Sequence, residues 1–324
     1  MENCTRACYN QNNGLFYVPF CTKIISRGTM KKKTITTFLT LAFTLVLCAT
    51  LFACDRNGDD RKINYAIDNS FIVLERNIGN ALVFSPVTNA TCDENGKVTN
   101  GNNLNCEYGV ILYVGMGVEP ERYSYLATAL AKQGYLVVIP QLDNNLAYTH
   151  YQAEETAFET YGNVKFFIAG HSFEGGAAAI RRTSENKNKV MGTVLCAPVG
   201  SRHKLLDENG EPVKDDNGVE IYVSDNLLDC SLPVLLIEAD NDKVRTQGQA
   251  NDAKARLKDG YVSKIVKGGN HTAFAEIDIE DDLPIKFLPT YTADINATTI
   301  EQKTSQRSAT CDFTLAFLRS VVLG

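Results

Sequence analysis

A serine, an aspartate and a histidine, which together can cleave an acyl bond, occur along the chain in that order. Ser172 follows an apolar run that ends in Gly-His-Ser, and a stretch of small residues begins directly after it. Asp242 and His271 each follow a later apolar run, over 234–237 and 262–266. A serine hydroxyl is a weak nucleophile until a base takes its proton, and a histidine held by a carboxylate suits that task. The order therefore predicts Ser172 as nucleophile, Asp242 as acid and His271 as base.

Asp240 competes with Asp242 for the role of the acid, because both follow the same apolar run. Asp242 lies farther out on the turn after the predicted strand, where the acid of such a site belongs, and we prefer it. Asp240 and Glu238 are then polar residues of the loop.

The chain has four histidines, and only His271 follows both two glycines and an apolar run. His171 directly precedes the nucleophile, and we expect it to point away from Ser172 as a packing residue. His150 and His203 have no position at a strand end. His271 is therefore the predicted base.

Backbone N–H groups near Ser172 are the predicted donors to a negatively charged oxygen. One belongs to Phe173, at the start of the predicted helix after the nucleophile. The other belongs to Met116, in the glycine-rich loop over 114–118. That loop has neither the GxxxxGK[ST] pattern nor the GxGxxG pattern of nucleotide-binding loops. We therefore predict an oxyanion hole from Met116 and Phe173 and no bound cofactor.

Apolar runs that alternate with helical patterns must position these residues. Such alternation is typical of an α/β fold with a mostly parallel central sheet flanked by helices. We predict one such domain over 71–324, opened by two short antiparallel strands over 71–74 and 81–84. The later strands are predicted over 109–114, 135–139, 164–169, 190–197, 234–237 and 262–266, with helices over 122–133, 152–161, 247–257, from 173 onward, and from the capping box at Thr299 to about 321.

Two regions interrupt this alternation. The insertion over 200–229 carries two Asn-Gly turns between short β-like runs and predicts a small hairpin. This insertion either covers the active site or is a surface element without a role in it. The polar region over 277–297 follows His271 and is either a loop that contacts substrate or an acidic, solvated loop.

The first 70 residues read as a targeting segment rather than as part of the fold. A basic start at Met30 and an apolar stretch are typical of a signal peptide over 30–53. Its end resembles a lipobox, which predicts lipid attachment to Cys54 and a polar tether over 54–70, with a transmembrane anchor or an unlipidated cysteine as the alternative. We interpret 1–29 as preceding the true start at Met30, against a real N-terminal extension.

The net charge of the chain bears on whether it binds nucleic acid. The chain has 32 basic and 38 acidic side chains, and residues 1–53 hold six of the basic and one of the acidic ones, which leaves 26 and 37 and a net charge of −11. So acidic a body argues against nucleic-acid binding. Contact with a membrane is expected through the lipid alone.

Five cysteines follow Cys54. Cys92 and Cys106 bracket a turn-rich segment and are the predicted disulfide, since exported proteins form such bonds. Cys196 lies in an apolar run and is predicted to be a buried free thiol. Spacing leaves open whether Cys230 and Cys311 pair, and no cysteine or histidine cluster has the spacing of metal ligands.

A family resemblance rests on the loop at 114–118, residues 123–140, Gly-His-Ser at 170–172, Asn-Asp at 241–242 and the motif Gly-Gly-Asn-His-Thr-Ala-Phe at 268–274. Together these segments resemble the α/β-hydrolase superfamily, in particular exported bacterial hydrolases related to dienelactone hydrolases and to small lipase- or cutinase-like esterases. The resemblance implies the same catalytic residues and the same two oxyanion donors.

Glu174 departs from the family pattern, which has a small residue at this place. A carboxylate close to Ser172 would repel anionic substrates. The expected function is an exported, lipid-anchored serine hydrolase acting on small-molecule esters, without metal or cofactor. The alternatives are dienelactone or peptide hydrolysis and a binding lipoprotein without catalysis; the oligomeric state is not predicted.

Overall fold

The computed structural model describes residues 70–148, 153–279 and 289–324. The interpretations that concern Cys54, the signal peptide, the tether and His150 lie outside these residues. None of the helices in the described ranges is both long and apolar enough to cross a membrane.

A sheet of nine strands forms the centre of the fold, and six of its strands run parallel. The strands are β1 (Ile72–Ile78), β2 (Ala81–Cys92), β3 (Val98–Asn103), β4 (Tyr108–Tyr113), β5 (Leu136–Pro140), β6 (Lys165–His171), β7 (Val190–Cys196), β8 (Arg202–Lys204), β9 (Tyr222–Ser224), β10 (Val234–Ala239) and β11 (Val262–Val266). The spatial order in the central sheet is β1-β2-β5-β4-β6-β7-β10-β11, and β3 pairs with β2. A separate pair, β8 and β9, lies in the insertion.

Helices cover both faces of this sheet, which confirms the predicted fold class. Side chains of the helices over 124–132 and 300–323 pack in one apolar cluster, and side chains of the helices over 153–160 and 172–185 pack in the other. Every residue of β4, β5 and β10 is buried, as expected for parallel strands covered on both sides. The helices are α1 (Ser124–Lys132), α2 (Ala153–Thr160), α3 (Ser172–Glu185), α4 (Gln247–Ala255), α5 (Pro289–Ile295) and α6 (Ile300–Leu323).

The strand order reverses beside β4, and this reversal positions the site. The chain passes from β4 to β5 on one side, and β6 then returns on the other side of β4. The loops after β4 and β6 therefore leave the sheet next to each other at its carboxyl edge, where ligands bind in open α/β sheets. These are the loops that hold Met116 and Ser172.

The N-terminal part contains more sheet than the sequence predicts, and this overturns the predicted disulfide. Cys92 and Cys106 are both free thiols. In the β2–β3 pairing, Val87 lies opposite Asn103, so the chain reaches Cys106 beyond the far end of the hairpin. Five residues along a strand span about 16 Å. The two sulfur atoms lie far outside bonding distance, because bridged cysteines need Cα atoms within about 7 Å.

The other cysteines in the described residues are also free, Cys230 and Cys311 included. Cys196 is buried at the end of β7, as predicted, and burial raises the pKa of its thiol to about 12. A thiol that stays protonated in this way is a poor nucleophile.

The two interrupting regions have more structure than a loop. In the insertion, β8 and β9 pair antiparallel, and two tight turns over 207–210 and 215–218 lie between them. In the second region, predicted as one polar loop, the structure has the helix α5. That helix carries a buried aspartate that belongs to the site.

Close packing between β6 and α3 leads to a stability prediction. A Cβ atom at Gly170 would overlap the carbonyl group of Gly175 and lie 2.8 Å from the Cβ of Ala179. We expect Gly170→Ala to lower the free energy of unfolding by about 3 kcal/mol, measured by urea denaturation. The matched control is Gly248→Ala in α4, where the nearest neighbour of a Cβ atom is 3.8 Å away. Equal stability of the two variants would contradict this account of the packing.

Candidate active site

Ser172 lies at the sharp turn between β6 and α3. Its φ angle is 62°, a left-handed conformation that costs a non-glycine residue about 1–3 kcal/mol. Glycines make the turn possible, because a side chain at Gly175 would overlap the carbonyl groups of Tyr113, the last residue of β4, and of Val114 after it. Such strain persists only where the surroundings impose it. Here the turn holds the Ser172 hydroxyl at the carboxyl edge of the sheet.

His271 lies within hydrogen-bonding distance of both other predicted site residues. The Ser172 Oγ is 2.6 Å from Nε2 of His271. The other ring nitrogen, Nδ1, is 2.9 Å from Oδ2 of Asp242. A carboxylate can only accept, so Nδ1 carries the proton and Nε2 is free to accept from the serine hydroxyl. The structure thus brings together the three side chains named from the sequence, in the arrangement that activates a serine.

Asp242 is held as a carboxylate by several donors besides His271. Its Oδ1 accepts the N–H groups of Val244 and Arg245, each at 2.9 Å, and Nε of Arg245 donates to Oδ2 at 2.9 Å. Burial alone would raise the pKa of Asp242, but His271 and Arg245 outweigh it and hold that pKa well below its ordinary value. Asp242 therefore remains charged at neutral pH.

Asp240, the competing acid, lies elsewhere. Its Oδ1 accepts the N–H of Gly268 at 2.6 Å, and Oδ2 pairs with the exposed Lys267 at 3.2 Å. Its carboxylate is thus engaged at the start of the loop that leads to His271 and forms no hydrogen bond to the histidine ring. The preference for Asp242 agrees with this geometry.

The loop that carries His271 is held by Asp294, which sequence reasoning missed. This buried carboxylate accepts the N–H groups of His271 at 3.2 Å, Thr272 at 2.8 Å and Lys243 at 2.7 Å. It therefore connects the loop of the base to the loop of Asp242. Gln306 of α6 adds a second clamp through the backbone of Asn270. No spacing in the sequence marks these residues, because both act on backbone atoms.

His171 does not point away from the site, and the expectation that it would is wrong. Its ring packs against His271 with centroids 5.0 Å apart. Its Nε2–H donates to the carbonyl oxygen of His271 at 3.2 Å, which leaves Nδ1 to accept the hydroxyl of Tyr123 at 2.8 Å. The same hydroxyl accepts the N–H of Gly115 at 2.8 Å. This chain of hydrogen bonds connects the glycine loop to the base.

The buried imidazole of His171 makes stability depend on pH. Burial lowers the pKa of His171 well below its ordinary value of 6.5, and His271 lowers it further. The unfolded chain therefore takes up a proton below about pH 6.5 that the folded protein does not. Stability is complete above that pH and falls on acidification, by at most about 1.4 kcal/mol per pH unit for this one proton.

We expect His171→Gln to flatten this dependence, because a glutamine keeps a donor and an acceptor but binds no proton. The measurement is urea denaturation of both proteins between pH 5 and 8. The free energy of unfolding of the wild type should fall more steeply below about pH 6.5. Identical slopes would show that His171 does not control this part of the profile.

The predicted oxyanion donors lie on the two loops that leave β4 and β6. In the glycine loop, the N–H groups of Gly117 and Val118 donate to carbonyl oxygens of Asn145 and Gly115. The N–H of Met116, in contrast, has no hydrogen-bond partner among the residues that the structure describes. Phe173 lies in the first turn of α3, where N–H groups have no partner within the helix. Both groups are thus available to a ligand.

The side chain of Glu174 contacts the loop that precedes α2. Its Oε2 accepts the backbone N–H of Tyr148 at 2.7 Å. The helix α3 approaches the sheet closely at Gly175 instead, and a side chain at that position would overlap backbone atoms. The departure from the family pattern therefore moves the small residue by one position and leaves the turn at Ser172 intact.

Tyr291 of α5 contacts both His271 and Ser172. Its ring meets that of His271 edge to face, with centroids 6.3 Å apart. Burial raises the pKa of Tyr291, and its contact with the Ser172 hydroxyl lowers it in part. Ser172 is only 4% exposed. No group of three His, Cys, Asp or Glu residues within the described ranges could hold a metal ion.

Several solved structures are similar to this chain, whereas no curated protein matches it. A predicted CIB-like hydrolase from Thermoplasma acidophilum has a TM-score of 0.44 at 16% identity, over 76% of this chain and 99% of its own. TT1662 from Thermus thermophilus has a TM-score of 0.44 at 13% identity, over 78% and 99%. The Paleococcus ferrophilus monoacylglycerol lipase has a TM-score of 0.42 at 16% identity, over 65% and 97%.

Residues 109–214 match the model of the α/β hydrolase family. The match contains the glycine loop and Ser172 and ends before Asp242 and His271. The mostly parallel sheet flanked by helices agrees with this match.

Proposed function

We propose that this protein is a serine hydrolase that cleaves carboxylic esters through an acyl-enzyme. The observation that carries the proposal is the hydrogen-bonded series Ser172–His271–Asp242, with distances of 2.6 and 2.9 Å. The strained turn at Ser172 supports it, because strain of this kind collects at functional residues.

The chemistry follows from the geometry. His271 takes the proton of Ser172 as the Oγ attacks the ester carbonyl, and Asp242 stabilises the imidazolium that forms. The N–H groups of Met116 and Phe173 receive the negative charge on the carbonyl oxygen. His271 then gives its proton to the departing alcohol. Water, activated by the same histidine, releases the acid and restores Ser172.

A fluorophosphonate probe tests this proposal, since it labels only an activated serine. We expect labelling of the wild type and none of Ser172→Ala, together with hydrolysis of short acyl esters. A folded wild-type protein that resists the probe would favour the alternative, a binding protein without catalysis. Matched ester and amide substrates separate esterase from peptidase activity.

We further propose that the protein is exported and anchored by a lipid on Cys54. The proposal rests on the sequence alone, on the basic start, the apolar stretch and the lipobox-like end at 51–54. Growth with a fatty-acid analogue tests it, and Cys54→Ala should lose the label. Undiminished labelling of that variant would refute lipid attachment at this cysteine.

A further inference from the structure

Two exposed aromatic side chains of the described residues line the same cavity. Among the described residues, Phe173 and Tyr222 are the only aromatic side chains in the exposed class, at 37% and 51%. Both line one cavity of about 790 Å³, and Tyr148 lines it too. We call it the aromatic cavity. Its volume lies within the range of small-molecule sites.

The aromatic cavity adjoins the segment that carries the nucleophile. Phe173, which lines it, directly follows Ser172, and the N–H of Val199, which directly precedes a glycine of the lining, donates to the carbonyl oxygen of Ser172 at 3.3 Å. The ring of Tyr148 is tilted against that of Phe173, with centroids 6.5 Å apart. Tyr222 comes from β9, so the insertion also contributes to the lining. Residues of α3 and of the insertion therefore line this cavity next to the backbone of Ser172.

Tyr148 is held at both ends, so its side of the cavity is formed before a ligand arrives. Its N–H donates to Glu174, and its hydroxyl donates to Asp225 at 3.0 Å. The buried Asp225 also accepts Ser201 at 2.5 Å and His203 at 2.7 Å. Preorganisation of this kind lowers the entropy that binding would cost.

The rest of the lining argues against a fatty acyl chain. No Leu, Ile, Val or Met side chain lines the cavity among the described residues. Glycine, serine and charged residues form the rest of the lining. The guanidinium of Arg256 forms an ion pair with Asp252 at 2.9 Å. Aromatic rings inside a polar border are suited to another ring, because they pair edge to face or offset.

On the basis of the proposed ester hydrolysis, we propose that the aromatic cavity is the specificity subsite and that it binds an aromatic ring of the ester. The ring can belong to the alcohol or to the acyl part of the ester. Phe173, Tyr148 and Tyr222 are the aromatic side chains of the cavity that would contact it.

Two matched substrate pairs test the proposal. Benzyl acetate against cyclohexylmethyl acetate places the ring in the alcohol, and methyl phenylacetate against methyl cyclohexylacetate places it in the acyl part. The leaving groups within each pair are nearly equal in reactivity. We expect kcat/KM of the purified protein to favour the aromatic member of at least one pair by about tenfold. Equal values in both pairs would overturn the proposal.

Tyr222→Leu is the decisive variant, because it keeps apolar volume and removes the ring from a half-exposed strand. It should reduce the aromatic preference severalfold. The control is Val219→Ala, which changes an exposed residue of the same insertion outside the cavity. An unchanged preference in Tyr222→Leu would also overturn the proposal.

A binding measurement separates failure of the subsite from failure of the proposed function. Ligand-observed NMR with Ser172→Ala needs no turnover, and benzyl acetate should bind more strongly than cyclohexylmethyl acetate. Probe labelling without any aromatic preference would refute the subsite alone. Aromatic binding without labelling would refute ester hydrolysis and retain the cavity as a site for aromatic ligands.

Discussion

Ser172→Ala and His271→Ala should each reduce ester turnover by about 10⁴- to 10⁶-fold, because members of such a catalytic unit fail together. Alanine at 172 removes the attacking oxygen, and alanine at 271 removes the group that accepts its proton at 2.6 Å. The measurement is kcat/KM on a short acyl ester. The double variant should be little worse than either single one.

Folding must be separated from catalysis in this experiment, since both side chains are buried. Circular dichroism and urea denaturation provide that control. Ser172→Ala removes one oxygen and should keep its fold. A folded Ser172→Ala protein that retains substantial turnover would show that another residue is the nucleophile.

Asp242→Asn should reduce turnover by about 10⁴-fold, although the side chain keeps its size. The carboxylate holds the proton of His271 on Nδ1, and an amide that donates to that nitrogen would favour the opposite tautomer. Nε2 would then carry a proton and could not accept one from Ser172. Arg245 would also lose a buried charged partner at 2.9 Å, so some loss of stability is expected.

Asp240→Asn is the matched control, because it makes the same chemical change two residues away. Its carboxylate is more exposed and bonds to Gly268 and Lys267 rather than to the histidine. We expect turnover to change by less than about threefold, in line with the small energies of surface charge pairs. If Asp240→Asn were crippling and Asp242→Asn mild, the assignment of the acid would be wrong.

The fold class could be predicted because burial on both sides makes parallel strands continuously apolar. The runs over 164–169 and 234–237 correspond to β6 and β10, which are longer by one and two residues, respectively. The strand β3 and the length of β2 were missed, because Val98–Asn103 is half-exposed and polar and has no apolar alternation. The predicted Cys92–Cys106 disulfide is wrong for the same reason. It assumed a loop between the two cysteines, whereas the chain forms a β-hairpin there.

The sequence by itself determined the three side chains of the site and the glycine that permits the turn. These depend on local order, since each lies within five residues of the end of a strand and small residues must flank Ser172. Only the tertiary structure decided which other groups hold these three side chains in position. Asp294 clamps the backbone of His271 from 23 residues away, and His171 connects that residue to Gly115 through Tyr123. Such contacts join backbone atoms and side chains from distant segments, so they depend on how the strands and helices pack and leave no spacing in the sequence.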